Sequence, residues 1–275
     1  MERVAVVILN YNTWQKTISE MDMLFSLFSL KPDQLIVVDN ASANDSYEQL
    51  QKRKTGKYHL LGAKHNKGYA AGNNIGLKYA HRLGYQYAWI INNDILIKDE
   101  MLLHKMLDIL VKDEKLAVVN PNIYAPDGHL FNRESKRPSF YDYTIGMLAY
   151  RKAGRIIEDL GGYGYVYRPQ GCCMLVDLHK MKEAGYMDER TFLYGEEVIL
   201  AERLRRKGYL CGCCTTAKVI HDHSYTVKES YTKGKLNRIK IDSFRYYLRK
   251  YRKFSGIKTK ICCLFYHLKL LLLEL

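Results

Sequence analysis

The run Val4-Ala5-Val6-Val7-Ile8-Leu9-Asn10-Tyr11-Asn12 decides the fold. Six consecutive apolar residues, most of them β-branched, read as a strand covered on both faces, because a strand with one wet face alternates apolar and polar residues. The polar triplet ends it. The same grammar recurs downstream. Residues 34–39 form a second apolar run that stops at the turn-forming Asn40-Ala41-Ser42-Ala43-Asn44-Asp45, and 87–91 a later one that runs into Asn92-Asn93-Asp94. Between them, 14–30, 46–54 and 70–83 mix apolar and polar residues as helices do, and 59–62 reads as a short strand. Apolar strands joined by helices predict an α/β fold with a mostly parallel central sheet flanked by helices. Ligands of such sheets sit beyond the carboxyl ends of the strands, which is where the polar clusters fall.

The second half is less regular. Residues 116–120, 171–176 and 217–220 read as strands, 178–184 and 196–207 as helices, and 127–168 as loop-rich. The chain of 275 residues is long enough to bury one large core. We expect one domain over 1–226 and a basic helical extension over 227–275. Of the net charge of +14, most lies in that extension, where twelve Lys/Arg between Lys228 and Lys260 face only Glu229 and Asp242. The seven cysteines, several of them adjacent, lack zinc-like spacing and are odd in number, so they read as small buried residues of a reducing compartment. The opening apolar run is too short for a signal peptide. Residues 261–275 are interrupted by His267, Lys269 and Glu274 and fall short of the roughly 20 apolar residues of a span. A cytoplasmic protein is expected.

Six clusters, in order, carry a resemblance: Val6-Val7-Ile8-Leu9-Asn10-Tyr11-Asn12; Val37-Val38-Asp39-Asn40-Ala41-Ser42; Asn66-Lys67-Gly68-Tyr69-Ala70-Ala71-Gly72-Asn73-Asn74-Ile75-Gly76; Asn92-Asn93-Asp94; Gly171-Cys172-Cys173-Met174-Leu175-Val176; and Phe192-Leu193-Tyr194-Gly195-Glu196-Glu197. Together they resemble the family 2 glycosyltransferases with the GT-A fold, in particular the rhamnosyltransferase-like branch of bacterial cell-surface polysaccharide synthesis. The resemblance covers roughly residues 3–225. It implies an inverting transfer of a hexosyl group from a UDP- or dTDP-sugar to a hydroxyl of a saccharide acceptor, lipid-linked in many relatives.

The resemblance also assigns roles. Asn10, Tyr11, Asn12 and Asp39 would hold the pyrimidine base and ribose, Asp39 accepting from the base N–H as an ionised carboxylate can. Capping of the following turn is the plainer use of Asp39. Asn66, Gly68 and Asn73 would face the donor at the start of a helix whose amides can meet phosphate. Gly72 and Gly76 serve helix–strand packing equally well. Asn92-Asn93-Asp94 stands in the place of the family's D-x-D metal motif, with Asn first, so Asn93 and Asp94 would contact the donor. Asp94 would ligate a divalent cation, Mn²⁺ or Mg²⁺, that neutralises the diphosphate. His221 would complete the metal shell, a role imidazole fills better for Mn²⁺, with His223 as its rival. Of the pair Glu196-Glu197, Glu197 is the expected base and Glu196 the substitute. Relatives often carry another acid where this chain has Ile199.

The basic, aromatic stretch 244–254 suits an anionic membrane surface, at the inner face of the cytoplasmic membrane; packing on the domain or on a second subunit is the alternative. A different class remains open: a non-catalytic nucleotide-binding protein whose tail binds nucleic acid. No nucleic-acid motif accompanies the charge, so no nucleic-acid partner is expected. A nucleotidyltransferase is disfavoured, since no glycine-rich, lysine-bearing loop follows the first strand.

Overall fold

The computed structural model describes residues 3–54, 56–131, 133–148, 157–222 and 232–272. His223 and the expected domain boundary at 226/227 lie outside them. In chain order the elements are β1 (Val4–Asn10), α1 (Trp14–Phe28), β2 (Leu35–Asp39), α2 (Ser46–Arg53), β3 (His59–Gly62), α3 (Tyr69–Arg82), β4 (Tyr87–Ile91), β5 (Ile95–Leu96) and α4 (Leu102–Lys112). There follow β6 (Leu116–Tyr124), α5 (Ile145–Leu148), β7 (Tyr163–Val166), β8 (Cys173–Asp177), α6 (Leu178–Glu183), α7 (Glu196–Arg205), β9 (Leu210–His221), α8 (Lys233–Lys250) and α9 (Gly256–Leu272).

One sheet runs in the order β3-β2-β1-β4-β8-β6-β9-β5, with β7 beside β9. The half built from β3, β2, β1 and β4 is parallel, as the β-helix-β alternation requires. Beyond it β8 is antiparallel to β4 and β6, while β6 and β9 pair in parallel. The sheet is thus mixed. Its strands 1, 2 and 4 are buried on both faces, as continuous apolar runs must be, and two apolar layers flank them.

Register positions the site. Asn10 is paired with Asp39 at the ends of β1 and β2. The short β5 runs antiparallel to β9 with Ile95 opposite His221, and the Asp222 amide donates to the Asp94 carbonyl at 3.0 Å. Asp94 and His221, over a hundred positions apart, are therefore neighbours by strand pairing.

The C-terminal helices pack on the domain. Tyr247 and Leu248 of α8, Tyr251 just past its end and Cys262 of α9 share an apolar cluster with Ile199 of α7 and Tyr143. Tyr246 and Tyr251 both donate to the Asp188 carboxylate, at 2.7 and 2.5 Å. Ile199, the position where relatives often hold an acid, is fully buried against this extension.

Candidate active site

A cleft of about 1030 Å³ opens beyond the carboxyl ends of the parallel strands. Of the residues singled out from the sequence, Tyr11, Asn66, Gly68, Asn93, Asp94, Glu196, Glu197 and His221 line it. Asn10, Asn12, Asp39 and Asn73 do not. Three of these form the frame beneath it. Asn10 is fully buried; its amide donates to Asp39 Oδ2 at 2.8 Å, and its carbonyl accepts from Thr17 Oγ1 at 2.8 Å. Asp39, 2% exposed, also accepts from the Ser42 amide at 2.9 Å and the Ser42 hydroxyl at 2.6 Å. That is the turn-capping use of an aspartate, and the carboxylate keeps little capacity for a further donor. Asn12, in the left-handed region at φ 58°, donates its backbone amide to Ser42 and accepts from the Ala43 amide.

Asn73 departs furthest from expectation. It is fully buried and its amide donates to the carbonyl of Tyr69 one helical turn back, so its side chain faces the interior rather than a donor. Asn74 likewise ties Met187 and Glu189. Gly72 and Gly76 are packing positions. A Cβ on either would stand 2.5 Å from Leu9 or 2.4 Å from Val7, so both let α3 press onto β1. Gly68 differs. Its φ is +96°, and a Cβ would come within 1.9 Å of the Phe192 carbonyl. The start of α3 therefore sits directly against the turn that carries the acidic pair, and the Tyr69 amide donates to that same carbonyl at 3.0 Å.

Asn93 donates to the hydroxyls of Thr13 and Thr17 at 2.9 and 2.8 Å. Thr17 passes the chain on to Asn10 and so to Asp39. This buried relay links the ends of β1, β2 and β4. Thr13, Thr17 and Ser42 were not singled out from the sequence, where isolated hydroxyl residues look like ordinary helix and turn residues.

Asp94 and His221 converge. His221 Nε2 lies 3.0 Å from Asp94 Oδ1, and that oxygen is sealed from solvent without an aligned hydrogen bond. Among the described residues no set of three His, Cys, Asp or Glu side chains gathers at one point. An oxygen and an imidazole side by side in a cleft fit two positions of a divalent cation's shell. Substrate oxygens and water would supply the rest, with the neutral carbonyl of Asn92 also in the cleft wall.

Glu196 and Glu197 open α7 after two left-handed residues, Tyr194 and Gly195. Their environments differ. Glu197 accepts from the Gly171 amide at 2.6 Å and pairs with the Arg168 guanidinium, which in turn reaches Glu134 at 3.2 Å. The approach is close, since a Cβ on Gly171 would stand 3.2 Å from the Glu197 carboxylate. Glu196 Oε2 is sealed from solvent with no hydrogen-bond partner. Burial first, then the charge of Glu197, pushes the Glu196 carboxyl up to about 8. Arg168 was missed in the sequence, because a lone Arg before a Pro-Gln-Gly turn carries no signal of its own.

The extension closes one wall of the cleft through Lys233, Leu236, Asn237 and Lys240 of α8 and Leu270 of α9. Lys240 lies over the Tyr194 ring, 5.0 Å from its centre, and Ser243 donates to the Leu193 carbonyl at 3.0 Å. Helix α8 thus braces the turn that presents the acidic pair.

A mixed sheet of this order, with an acid and a histidine meeting at one strand end and an acidic pair in the same cleft, defines a GT-A glycosyltransferase. The model of Glycosyl transferase family 2 matches residues 5–176, and the chain belongs to that family. It is 26% identical over 227 residues to the low-salt glycan biosynthesis hexosyltransferase Agl10 of Haloferax volcanii, covering 81% of this chain and 68% of that protein. It is 27% identical over 231 residues to the galactofuranosyltransferase GlfT1 of Mycolicibacterium smegmatis, covering 80% and 71%. With the N-acetylglucosaminyl-diphospho-decaprenol L-rhamnosyltransferase of Mycobacterium tuberculosis it shares 25% over 221 residues, covering 73% and 70%. Among solved structures, the fold matches GalNAc-T7 with UDP, GalNAc and Mn²⁺ at a TM-score of 0.62, 12% identity, and 90% and 48% of the two chains. It matches the Pyrobaculum calidifontis mannosyltransferase PcManGT with GDP-Man and Mn²⁺ at 0.59, 14% identity, and 94% and 68%.

Proposed function

We propose that this glycosyltransferase carries out an inverting transfer of a hexose from a UDP- or dTDP-sugar to a hydroxyl of a lipid-linked saccharide, in the assembly of a cell-surface polysaccharide. The observation that carries this reading is the cleft itself, whose lining includes Asp94, His221, Glu196 and Glu197. Tyr11, just past β1 in the cleft lining, would face the base, while Asp39 would act by holding the β2 turn through Ser42 and Asn10. Asp94 and His221 would hold a divalent cation, Mn²⁺ or Mg²⁺, which when bound offsets the charge of the departing diphosphate. Structural neighbours solved with UDP, GalNAc and Mn²⁺ and with GDP-Man and Mn²⁺ support that choice.

The acceptor proton goes to the acidic pair. Glu197 is oriented for the task by the Gly171 amide and Arg168, as a positioned base should be. A second reading has its own observation. Glu196 has an unpartnered oxygen and a carboxyl pushed up to about 8, the range in which a general base works near neutral pH. Replacing each by Gln and following transfer across pH decides between them.

The acceptor side favours a membrane. Among the described residues no helix is long and apolar enough to cross one. Helix α9 instead exposes Ile257, Ile261, Leu264, Leu268 and Leu271, which lie on one stripe at helical spacing, beside the exposed Lys258 and Lys260. An apolar stripe flanked by lysines fits the inner surface of an anionic membrane, with the enzyme peripheral at its cytoplasmic face. Release of UDP or dTDP from a matching nucleotide sugar, dependent on added lipid-linked acceptor, is the direct test. Release that ignores acceptor lipids would contradict the acceptor class.

A further inference from the structure

The cleft has a neighbour. A second cavity of about 660 Å³ lies between α8 and α9, lined by Lys233, Asn237, Arg238, Asp242, Arg245, His267 and Leu271 among others. Lys233 and Asn237 belong to both cavities, so the two adjoin along one face of α8. Consecutive residues at the end of α9 divide them: Leu270 lines the cleft and Leu271 the groove. Leu271 is also a member of the exposed apolar stripe.

The groove is cationic. Lys233, Arg238 and Arg245 face a single acid, Asp242. Arg245 donates to Asp242 at 2.8 Å, and Arg238 lies 4.0 Å from the other oxygen of that acid, so the two guanidiniums stand on one face of the helix. Two guanidiniums held close together offer paired N–H donors in the arrangement that phosphate oxygens accept. A polar, cationic groove would thus sit between the catalytic cleft and an apolar surface. A ligand that bridges all three must be a saccharide at one end, a phosphate in the middle and a lipid at the other.

Building on the membrane-face reading above, we infer that the α8/α9 groove is the subsite for the diphosphate of a polyprenyl-diphosphate-linked acceptor, with its lipid leaving over Leu271 and its saccharide entering the cleft past Lys233 and Asn237. The arginines bind the acceptor and take no part in bond making. The groove therefore governs acceptor affinity and leaves donor binding alone.

The test uses farnesyl diphosphate, held below its micelle concentration, titrated into the full chain and into the Arg238→Gln/Arg245→Gln variant, with UDP and dTDP as controls. Both arginines are well exposed, so the variant keeps its fold. The expected result is saturable binding to the wild type, competed by inorganic pyrophosphate and weakened at least tenfold in the variant, while nucleotide affinity is unchanged. Equal binding of farnesyl diphosphate to both proteins would overturn the assignment. So would a variant that loses binding only to phosphatidylglycerol vesicles, since the groove would then read phospholipid headgroups. A wild type that binds neither UDP nor dTDP would instead overturn the donor reading, separately from the groove.

Discussion

His221 Nε2 stands 3.0 Å from Asp94 Oδ1, brought there by the antiparallel pairing of β5 with β9. Neither residue is near the other in the chain, and the sheet alone joins them. An ionised carboxylate oxygen and an imidazole nitrogen side by side would offer two ligands to a divalent cation, which would supply positive charge against a diphosphate.

Replacing Asp94 by Ala is expected to abolish transfer in a protein that stays folded. Replacing His221 by Ala should leave residual transfer that needs at least about tenfold more Mn²⁺ for half-maximal rate, because one ligand is lost and the other kept. A metal titration of the His221→Ala rate checks this; an unchanged Mn²⁺ requirement would remove His221 from the shell.

The acidic pair separates by pH. With Glu197 as base, Glu197→Gln lowers kcat by at least about 100-fold while the donor still binds. With Glu196 as base, the wild-type rate climbs as pH rises towards about 8, where its carboxyl ionises, and Glu196→Gln removes that limb. Rate–pH profiles of the two variants tell these apart.

Glu20, 5% exposed in α1, has one oxygen without a partner, and burial pushes its carboxyl up to about 9. In the unfolded chain it ionises near 4.5. The neutral folded form is therefore fully favourable below about 4.5, and stability is lost as pH rises from there to about 9. At pH 7 the cost is on the order of 3 kcal/mol. Glu20→Gln should raise the melting temperature at pH 7–8 and leave it nearly unchanged at pH 4. Melting curves that shift equally at both pH values would refute this.

Gly68→Ala should damage both stability and turnover. Its positive φ costs about 1–3 kcal/mol for any other residue, and the added Cβ meets the Phe192 carbonyl. The turn that presents Glu196 and Glu197 must then shift. Gly84, also at positive φ but with open space around it, is the control. Gly84→Ala should lose a comparable strain energy while keeping activity.

Leu264→Asp with Leu268→Asp is expected to reduce flotation with phosphatidylglycerol vesicles at least about tenfold, as two apolar side chains leave the stripe. Transfer to a water-soluble acceptor analogue should persist. Undiminished flotation would move the membrane contact elsewhere.

Much of this was legible in the sequence, for reasons that particular residues make plain. The β1 and β2 runs are apolar without a break, so their burial and the parallel half of the sheet follow directly. The polar residues that follow them mark the strand ends where the cleft opens. The antiparallel insertion of β8 between β4 and β6 was not legible, because pairing direction leaves no trace in a short apolar strand such as Cys173–Asp177. Asn73 misled because position beside a glycine-rich helix start says nothing about which way a helical side chain turns. Asp39 was seen in its place, with capping of the following turn as one of its two uses, and the bonds from Ser42 are that use. Arg168 and the face of α8 that walls the cleft depend on tertiary packing alone.

The central claim is that the cleft takes a nucleotide-diphosphate sugar beside a divalent cation. Titrating UDP-, dTDP- and GDP-sugars into the full chain by calorimetry, with and without Mn²⁺, tests it most directly. Saturable one-to-one binding of a UDP- or dTDP-sugar, strengthened by Mn²⁺ and lost in Asp94→Ala, is the predicted result. Absence of binding by every sugar nucleotide, or binding indifferent to Asp94, would contradict it.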